Sequence, residues 1–283
     1  MHLVAALGVS VTPYLASGDS VPVTYGFLPG SDLLVPASRA ASHDLFVALD
    51  APDPARLGDA LPIAQAADAL IVIDHHPDNK EYGSINLVDE RAASTGSMIW
   101  ELAKHAGWEV SPQVAECLFT ALMTDTGRFS YGNTTAEALR CAAELVEHGV
   151  EPARVYRRVY ENRSPGALAL IARTMSRLEF AAGGRLAFSW ISAEDFLETG
   201  ALPEETENLI DEIRSVRGVD AVALLKASHD SVRVSLRAKD GMDVGSIARA
   251  LGGGGHTAAA GFTRAGSVES VLAELLLLFP PAS

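Results

Sequence analysis

The run LIVIDHHPDN, residues 70–79, ends a strand-length apolar segment on Asp74, His75 and His76. A carboxylate followed by two imidazoles can hold a divalent cation, move protons, or simply make a polar turn. Two other acids stand in comparable places. DLFVALD, residues 44–50, closes on Asp50, and Asp125 leaves a helical pattern just before TGRFSYGNTT. Carboxylate and imidazole together suit manganese, iron or zinc better than calcium. A cation among them would polarise a phosphoryl oxygen and acidify a water. Each piece alone also reads as a strand-end cap or turn, so the fold must decide whether the pieces meet.

A second cluster is LGGGGHTAAAGF, residues 251–262. Four consecutive glycines, Gly252, Gly253, Gly254 and Gly255, cost backbone entropy. Either they form a loose loop, or their N–H groups approach an anion. In the second case the small residues that follow build a tightly packed helix whose N-terminus points at that anion. His256 would contact a phosphate or a base. Arg237, ending VRVSLR, would join it if that strand lies alongside.

These residues need elements to position them. The segments ending on Asp50 and Asp74 are continuous apolar runs, the pattern of strands covered on both faces, which points to a parallel sheet in an α/β fold. Ligands of such sheets bind beyond the carboxyl ends of the strands, where Asp50 and the Asp-His-His cluster lie. PARLGDALPIAQAA supplies a crossover that its proline shortens or breaks. STGSMIWELAKHAG, residues 94–107, reads as a helix capped by Ser94 or Thr95 and stopped at Gly107. SPQVAECLFTALMTDTG and TTAEALRCAAELVEHGV read as two more. Residues 1–150 thus form one α/β domain, and 151–182 an arginine-bearing helical linker. Residues 183–283 form a smaller α+β domain with strands in GRLAFSWIS, VDAVALLKAS and VRVSLRAK.

Composition narrows the function classes. The formal net charge of −14 disfavours a broad basic face for long duplex DNA. A short nucleotide remains compatible, held by a local cluster of Arg, His, backbone N–H or metal. No apolar run reaches the roughly 18 residues of a membrane span, and the amino terminus lacks a basic leader and a clear cleavage site. Cys117 and Cys141 offer neither a disulfide framework nor a zinc spacing, so both read as core residues in a reducing cytoplasm.

Taken in order, the ALD strand end, VIDHHPDN, TDTGRFSYGNTT and GGGGHTAAAGF resemble the DHH/DHHA1 phosphoesterase superfamily, in its bacterial oligoribonuclease and pAp phosphatase branch. The resemblance runs from about residue 20 to the end. It implies a DHH domain and a DHHA1 domain facing each other across an active cleft, Mn2+ (or another divalent transition metal, or Mg2+) as cofactor, and often a homodimer. The implied reaction is hydrolysis of short RNA, of linear dinucleotides such as pApA, of cyclic dinucleotides, or of 3′-phosphoadenosine 5′-phosphate. By position, Asp50 would bridge two metals, with His75 and Asp125 as further ligands. His76 would face the scissile phosphate with Asp74 supporting the pair. Arg237, Gly252 to Gly255 and His256 would hold the nucleotide's terminal phosphate or base.

The pattern departs from that family in two places. Residues 1–25 lack the opening His-x-x-x-Asp-x-Asp spacing that supplies three metal ligands. Only Asp50 then remains for a second metal, which raises an alternative: a nucleotide-binding, catalytically impaired member. His2, Asp19, His43 or Asp53 would have to substitute, and the missing strand would leave an exposed sheet edge. The family also places a basic residue soon after the phenylalanine, whereas here Ser130 follows Phe129 and Arg128 precedes it.

Overall fold

Alternation of apolar strands and helices in the first half folds into parallel β-structure with helices around it. The computed structural model describes residues 1–16, 21–37, 43–206, 209–239 and 241–279. The chain divides into two units, Met1–Asn162 and Arg163–Ser283.

The first unit opens with a short helix, α1 (His2–Ala5), and two short parallel strands, β1 (Tyr14–Leu15) and β2 (Val35–Pro36). Strands β3 (Leu45–Leu49), β4 (Ala69–Asp74) and β5 (Ile85–Val88) form a three-stranded parallel sheet in the order β3-β4-β5. The crossover from β3 to β4 is broken as its proline requires: a 3-10 segment, Pro54–Ala60, then α2 (Leu61–Ala66). Asp53 caps that segment, its side chain accepting from the Ala55 N–H at 2.8 Å.

Among the described residues, one sheet face is packed and the other is covered only in part, at Ile73 of β4. Phe46, Ala48 and Val72 pack with Leu57, Ala60 and Ala64 in one core. The other face presents Leu45, Val47 and Leu49 from β3 and Ile85 and Leu87 from β5, all 42–58% exposed. The reason the sequence misled is geometric. Alternate strand residues point to opposite faces, and an uninterrupted apolar run makes both faces alike whether or not both are packed.

Four helices complete this unit: α3 (Thr95–Ala106), α4 (Pro112–Asp125), α5 (Ala136–Glu147) and α6 (Pro152–Tyr160). Their apolar faces meet in a core that includes Trp100, Leu118, Phe119, Leu122, Cys141, Leu145, Val155 and Val159. Burial raises the Cys117 thiol to about 11 and the Cys141 thiol to about 12, as suits packing residues. Gly96 lets α3 and α4 touch: a Cβ there would lie 2.8 Å from Ala121 Cβ and 3.2 Å from the Leu118 carbonyl oxygen.

The second unit begins with α7 (Pro165–Ser176), so the stretch 151–182 contributes α6 to one unit and α7 to the other. Its arginines are largely paired with acids: Arg154 with Glu116, Arg163 with Glu212, and Arg173 and Arg177 with Asp195. Next come β6 (Glu179–Ala181), β7 (Leu186–Ile191), α8 (Ala193–Thr199), α9 (Leu209–Arg214), β8 (Ala221–Ala227), β9 (Ser231–Ala238) and α10 (Val244–Ala250). Then β10 (Gly254–His256), β11 (Ala259–Ala265) and α11 (Val268–Leu278) close the chain. The sheet runs β10-β11-β9-β8-β7-β6, with only β7 and β8 parallel. One face packs on Val244, Ile247, Val271 and Leu275 of α10 and α11. The other packs on Leu170, Ile210 and Ile213 of α7 and α9.

The glycine-rich stretch corrects an expectation. It does not open a helix; it forms the β10–β11 hairpin. A Cβ at Gly253 would lie 2.1 Å from the Gly261 carbonyl oxygen, and one at Gly255 would lie 2.6 Å from that of Ala259. The hairpin's own backbone therefore needs these glycines, and the small residues after them serve close strand packing. No helix among the described residues is long and apolar enough to cross a membrane.

A buried ion network anchors α7 to α8. Asp195 is 1% exposed and accepts from Arg177 Nη1 and Nη2 at 2.5 and 2.7 Å, Arg173 Nη1 at 3.1 Å and the Ser192 N–H at 2.8 Å. Burial works against its charge. The Arg177 guanidinium, the Ser192 N–H and Arg173 outweigh it and hold the carboxyl well below the usual carboxylate range. Asp195→Ala should destabilise this unit by about 3 kcal/mol, the low end for breaking a buried pair because the arginines stay partly solvated. A depressed carboxylate adds stability above its unfolded pKa of about 3.9, and that stability is lost as pH falls toward the folded value. Urea titrations at pH 7 and pH 3 should therefore give wild type and variant midpoints that converge in acid.

Candidate metal centre

Parallel pairing brings the two acidic strand ends together. Asp50 follows β3, and its N–H donates to the Ile73 carbonyl of β4 at 3.1 Å, extending the ladder by one step. Asp74 ends β4, with His75 and His76 immediately beyond. Asp50 adopts a left-handed backbone, φ +58°. For a residue with a Cβ this conformation costs on the order of 1–2 kcal/mol, strain of the kind that clusters at functional sites.

Asp125 ends α4 and reaches the same point. His75 Nε2 lies 3.5 Å from Asp50 Oδ1 and 3.8 Å from Asp125 Oδ2. One ligand atom from each of Asp50, His75 and Asp125 falls within 4.8 Å of the others, close enough to share an ion. The imidazole is oriented for this. His75 Nδ1 donates to the Ala92 carbonyl at 3.1 Å, which leaves Nε2 with the lone pair in the neutral ring. Two carboxylate oxygens and one imidazole nitrogen fit a divalent transition cation. Asp125 is mostly buried and faces Asp50; burial first, and that neighbouring charge second, push its carboxyl up to about 7.

Asp74 has a different position. It is completely buried. Its Oδ1 accepts from the His75 N–H at 2.7 Å, the His76 N–H at 3.2 Å and His76 Nδ1 at 2.7 Å, while Oδ2 accepts from Asn79 Nδ2 at 2.6 Å. Burial opposes its charge, but the His76 and Asn79 hydrogen bonds hold the carboxyl below the ordinary range. Burial also opposes a charged His76. The hydrogen bond to Asp74 and the charges of Asp74 and Asp50 prevail and raise it. The pair is thus an orienting carboxylate and an imidazole whose protonated form it favours, with His76 Nδ1 3.8 Å from Asp50 Oδ1.

The turn after Asp125 is unusual. Gly127, Arg128 and Phe129 are all left-handed, with φ +54°, +62° and +60°. Thr126, fully buried, ties the turn: its hydroxyl donates to the Leu122 carbonyl at 2.6 Å and accepts from the Phe129 N–H at 3.2 Å. Phe129 packs near Phe119, and Arg128 lies over the Tyr160 ring, 5.0 Å from its centroid.

Three supporting side chains escaped the sequence reading. Thr95 Oγ1 donates to Asp50 Oδ1 at 2.8 Å. Asn79 holds Asp74. Asn133 Nδ2 donates to the Ala93 and Asp125 carbonyls, both at 3.0 Å, joining the approach to α3 to the exit of α4. Thr95 read as a possible cap of α3, while Asn79 and Asn133 lay inside VIDHHPDN and TDTGRFSYGNTT with no role assigned to either. The residues considered as substitute ligands have other partners. His2 Nε2 is 3.0 Å from the Pro29 carbonyl, His43 Nε2 is 2.6 Å from the Tyr14 hydroxyl, and Asp53 pairs with Lys80. Asp19 lies outside the described residues.

In the second unit, register sets His256 opposite Ala259, and Ala259 opposite Arg237, so the three stand in one row across β10, β11 and β9. Directly paired residues share a sheet face. Arg237 Nε is buried, with Asp211 Oδ1 4.0 Å away, and has no hydrogen-bond partner among the described residues. Gly252 precedes this hairpin and Gly253 to Gly255 lead into it.

Comparison with known proteins agrees with this division. A "DHH family, N-terminal domain" model matches residues 3–122, and a "DHHA1 domain" model matches residues 183–279. A Thermus thermophilus protein named bifunctional oligoribonuclease and PAP phosphatase NrnA is 32% identical over 232 residues, covering 82% of this chain and 68% of that protein. The Bacillus subtilis protein of the same name is 31% identical over 196 residues, covering 68% of this chain and 61% of its own length. An exopolyphosphatase-related protein from Bacteroides fragilis superposes with a TM-score of 0.86 at 23% identity, over 96% of this chain and 83% of that one, which shows the shared fold.

Proposed function

The chain belongs to the DHH/DHHA1 phosphoesterase superfamily, in the branch of the bifunctional oligoribonucleases and PAP phosphatases, and from that membership we propose that it is a Mn2+-dependent phosphoesterase. Its substrates are short oligoribonucleotides, dinucleotides such as pApA, and 3′-phosphoadenosine 5′-phosphate. The convergence of Asp50, His75 and Asp125 on one point carries this reading. A cation held there supplies Lewis acidity toward a phosphoryl oxygen and acidifies a nearby water.

The protein's own groups do the rest. His76 Nδ1 is committed to Asp74, so any proton given to a phosphoryl or leaving oxygen comes from Nε2. Asp74 favours the protonated form of that ring and aims it. In the second unit, Arg237 on β9 and His256 on β10, in one row with Ala259 of β11 between them, form the nucleotide's anchor. The partly exposed Arg237 guanidinium is a donor suited to a phosphate oxygen. A local anchor of this kind does not need a basic surface, which reconciles the net charge of −14 with a nucleotide substrate.

One observation favours a second reading, a nucleotide-binding protein with slow turnover. The other group that includes Asp50 consists of Asp74 and His76, and Asp74's oxygens already serve four hydrogen bonds. A two-metal clamp would need better donors than these. Incubation of the full chain with pApA and with pAp, with Mn2+ and after chelation, separates the readings. Release of AMP that requires Mn2+ supports the enzyme. Retained pAp binding without turnover supports the second reading, and loss of both binding and turnover overturns the two together.

A further inference from the structure

We infer that Thr95 is a positioning residue for Asp50, fixing the carboxylate at the centre of the candidate cation site; the inference rests on the cation reading given above. Thr95 is the first residue of α3, one position past the cap. The capping is already done. Ser94 Oγ accepts from the Ser97 N–H at 3.0 Å, and the Ser94 N–H donates back to Ser97 Oγ at 3.3 Å, a complete capping box. The Thr95 hydroxyl instead reaches across 45 residues of sequence to Asp50 Oδ1. Thr95 is 6% exposed, so this hydroxyl has little access to water as an alternative partner.

Asp50 needs such a partner. Its side chain is about half exposed, 49%, and its backbone is left-handed. A half-solvated carboxylate swings between rotamers unless something holds it, and ordering it on cation arrival costs affinity. The Thr95 bond holds Oδ1 where it also lies 3.5 Å from His75 Nε2. The β-branched threonine is itself stiff about χ1, so the donor it offers is a fixed one.

Gly96 extends the argument to the third ligand. Its close approach to Ala121 and Leu118 seats the start of α3 on the last turns of α4, one turn before Asp125. Thr95 therefore refers the position of Asp50 to the same helix pair that places Asp125. Outer groups that orient ligands in this way typically contribute 10- to 100-fold to metal affinity.

The test is Mn2+ titration calorimetry on the full chain, comparing wild type with Thr95→Val and Thr95→Ser, with melting curves in chelator beside it. Valine keeps the volume and branching and removes only the donor. Expected are a 10- to 100-fold rise in Kd for Thr95→Val, restoration to within a few-fold by Thr95→Ser, and nearly unchanged melting of both without cation. Equal Mn2+ affinity in wild type and Thr95→Val overturns the inference and leaves the site reading intact. A large melting loss in chelator that serine reverses without recovering Mn2+ affinity also overturns it, because the hydroxyl is then structural. Absence of Mn2+ uptake by the wild type removes the site reading and this inference together.

Discussion

His75→Ala should lower Mn2+-dependent kcat/KM for pApA by at least about 1000-fold, because groups that act as one unit fail together. The ring is 4% exposed, and its Nε2 sits between Asp50 and Asp125. Alanine removes the neutral ligand and leaves two carboxylates facing each other across a void, so the variant loses the cation as well as the rate. The Ala92 carbonyl, which accepts from Nδ1, also loses its partner. Steady-state hydrolysis and Mn2+ stoichiometry, measured on the same preparation, check both consequences. A variant that keeps its Mn2+ and its rate would place the ion elsewhere.

The second large effect is a proton linkage. With its carboxyl pushed up to about 7 by burial and by Asp50, Asp125 is protonated in mildly acidic solution before any cation arrives. A cation must displace that proton. Its apparent Kd should therefore rise about tenfold for each pH unit below 7 and level off above it. Over two units that is about a hundredfold, and titrations in buffers of different ionisation enthalpy should count close to one proton released at pH 6. The stability of the cation-free protein follows the same group. Its folded pKa is raised above the unfolded value of about 3.9, so the contribution is complete below pH 4 and is lost as pH rises through 7. Mn2+ should then raise the melting temperature more at pH 8 than at pH 5.5. A pH-independent Kd would mean that Asp125 is not a ligand.

The elements that hold the site were readable because each depends on local pattern. Apolar runs ending on Asp50 and Asp74 became parallel neighbours, and the cap of α3 fell on Ser94, one of its two candidates. What was not readable depends on contact across the chain. Thr95 and Ser94 look like equivalent capping hydroxyls in sequence; only the return of α3 beside Asp50 gives one to the helix and the other to the carboxylate. The helix expected beside the glycine stretch was misread for a related reason. Glycine is needed wherever backbone approaches closely, and sequence does not say whether the neighbour is a ligand or, as at Gly253, the adjacent strand. Left-handed Arg128 and Phe129 gave no local signal, since their turn is imposed by buried Thr126.

The exposed apolar rows of β3 and β5 have a consequence for the protein in solution. Leu45, Val47, Leu49, Ile85 and Leu87 make a sticky plane on a molecule whose formal charge is −14. At low ionic strength mutual repulsion should keep copies apart. Raising salt to 0.5 M or beyond shortens the Debye length to a few ångströms, on the order of 4 Å, while apolar attraction persists. Light scattering should accordingly show clustering that grows with added sodium chloride, the opposite of an association driven by ion pairs. Arginine or mild non-ionic detergent should disperse it.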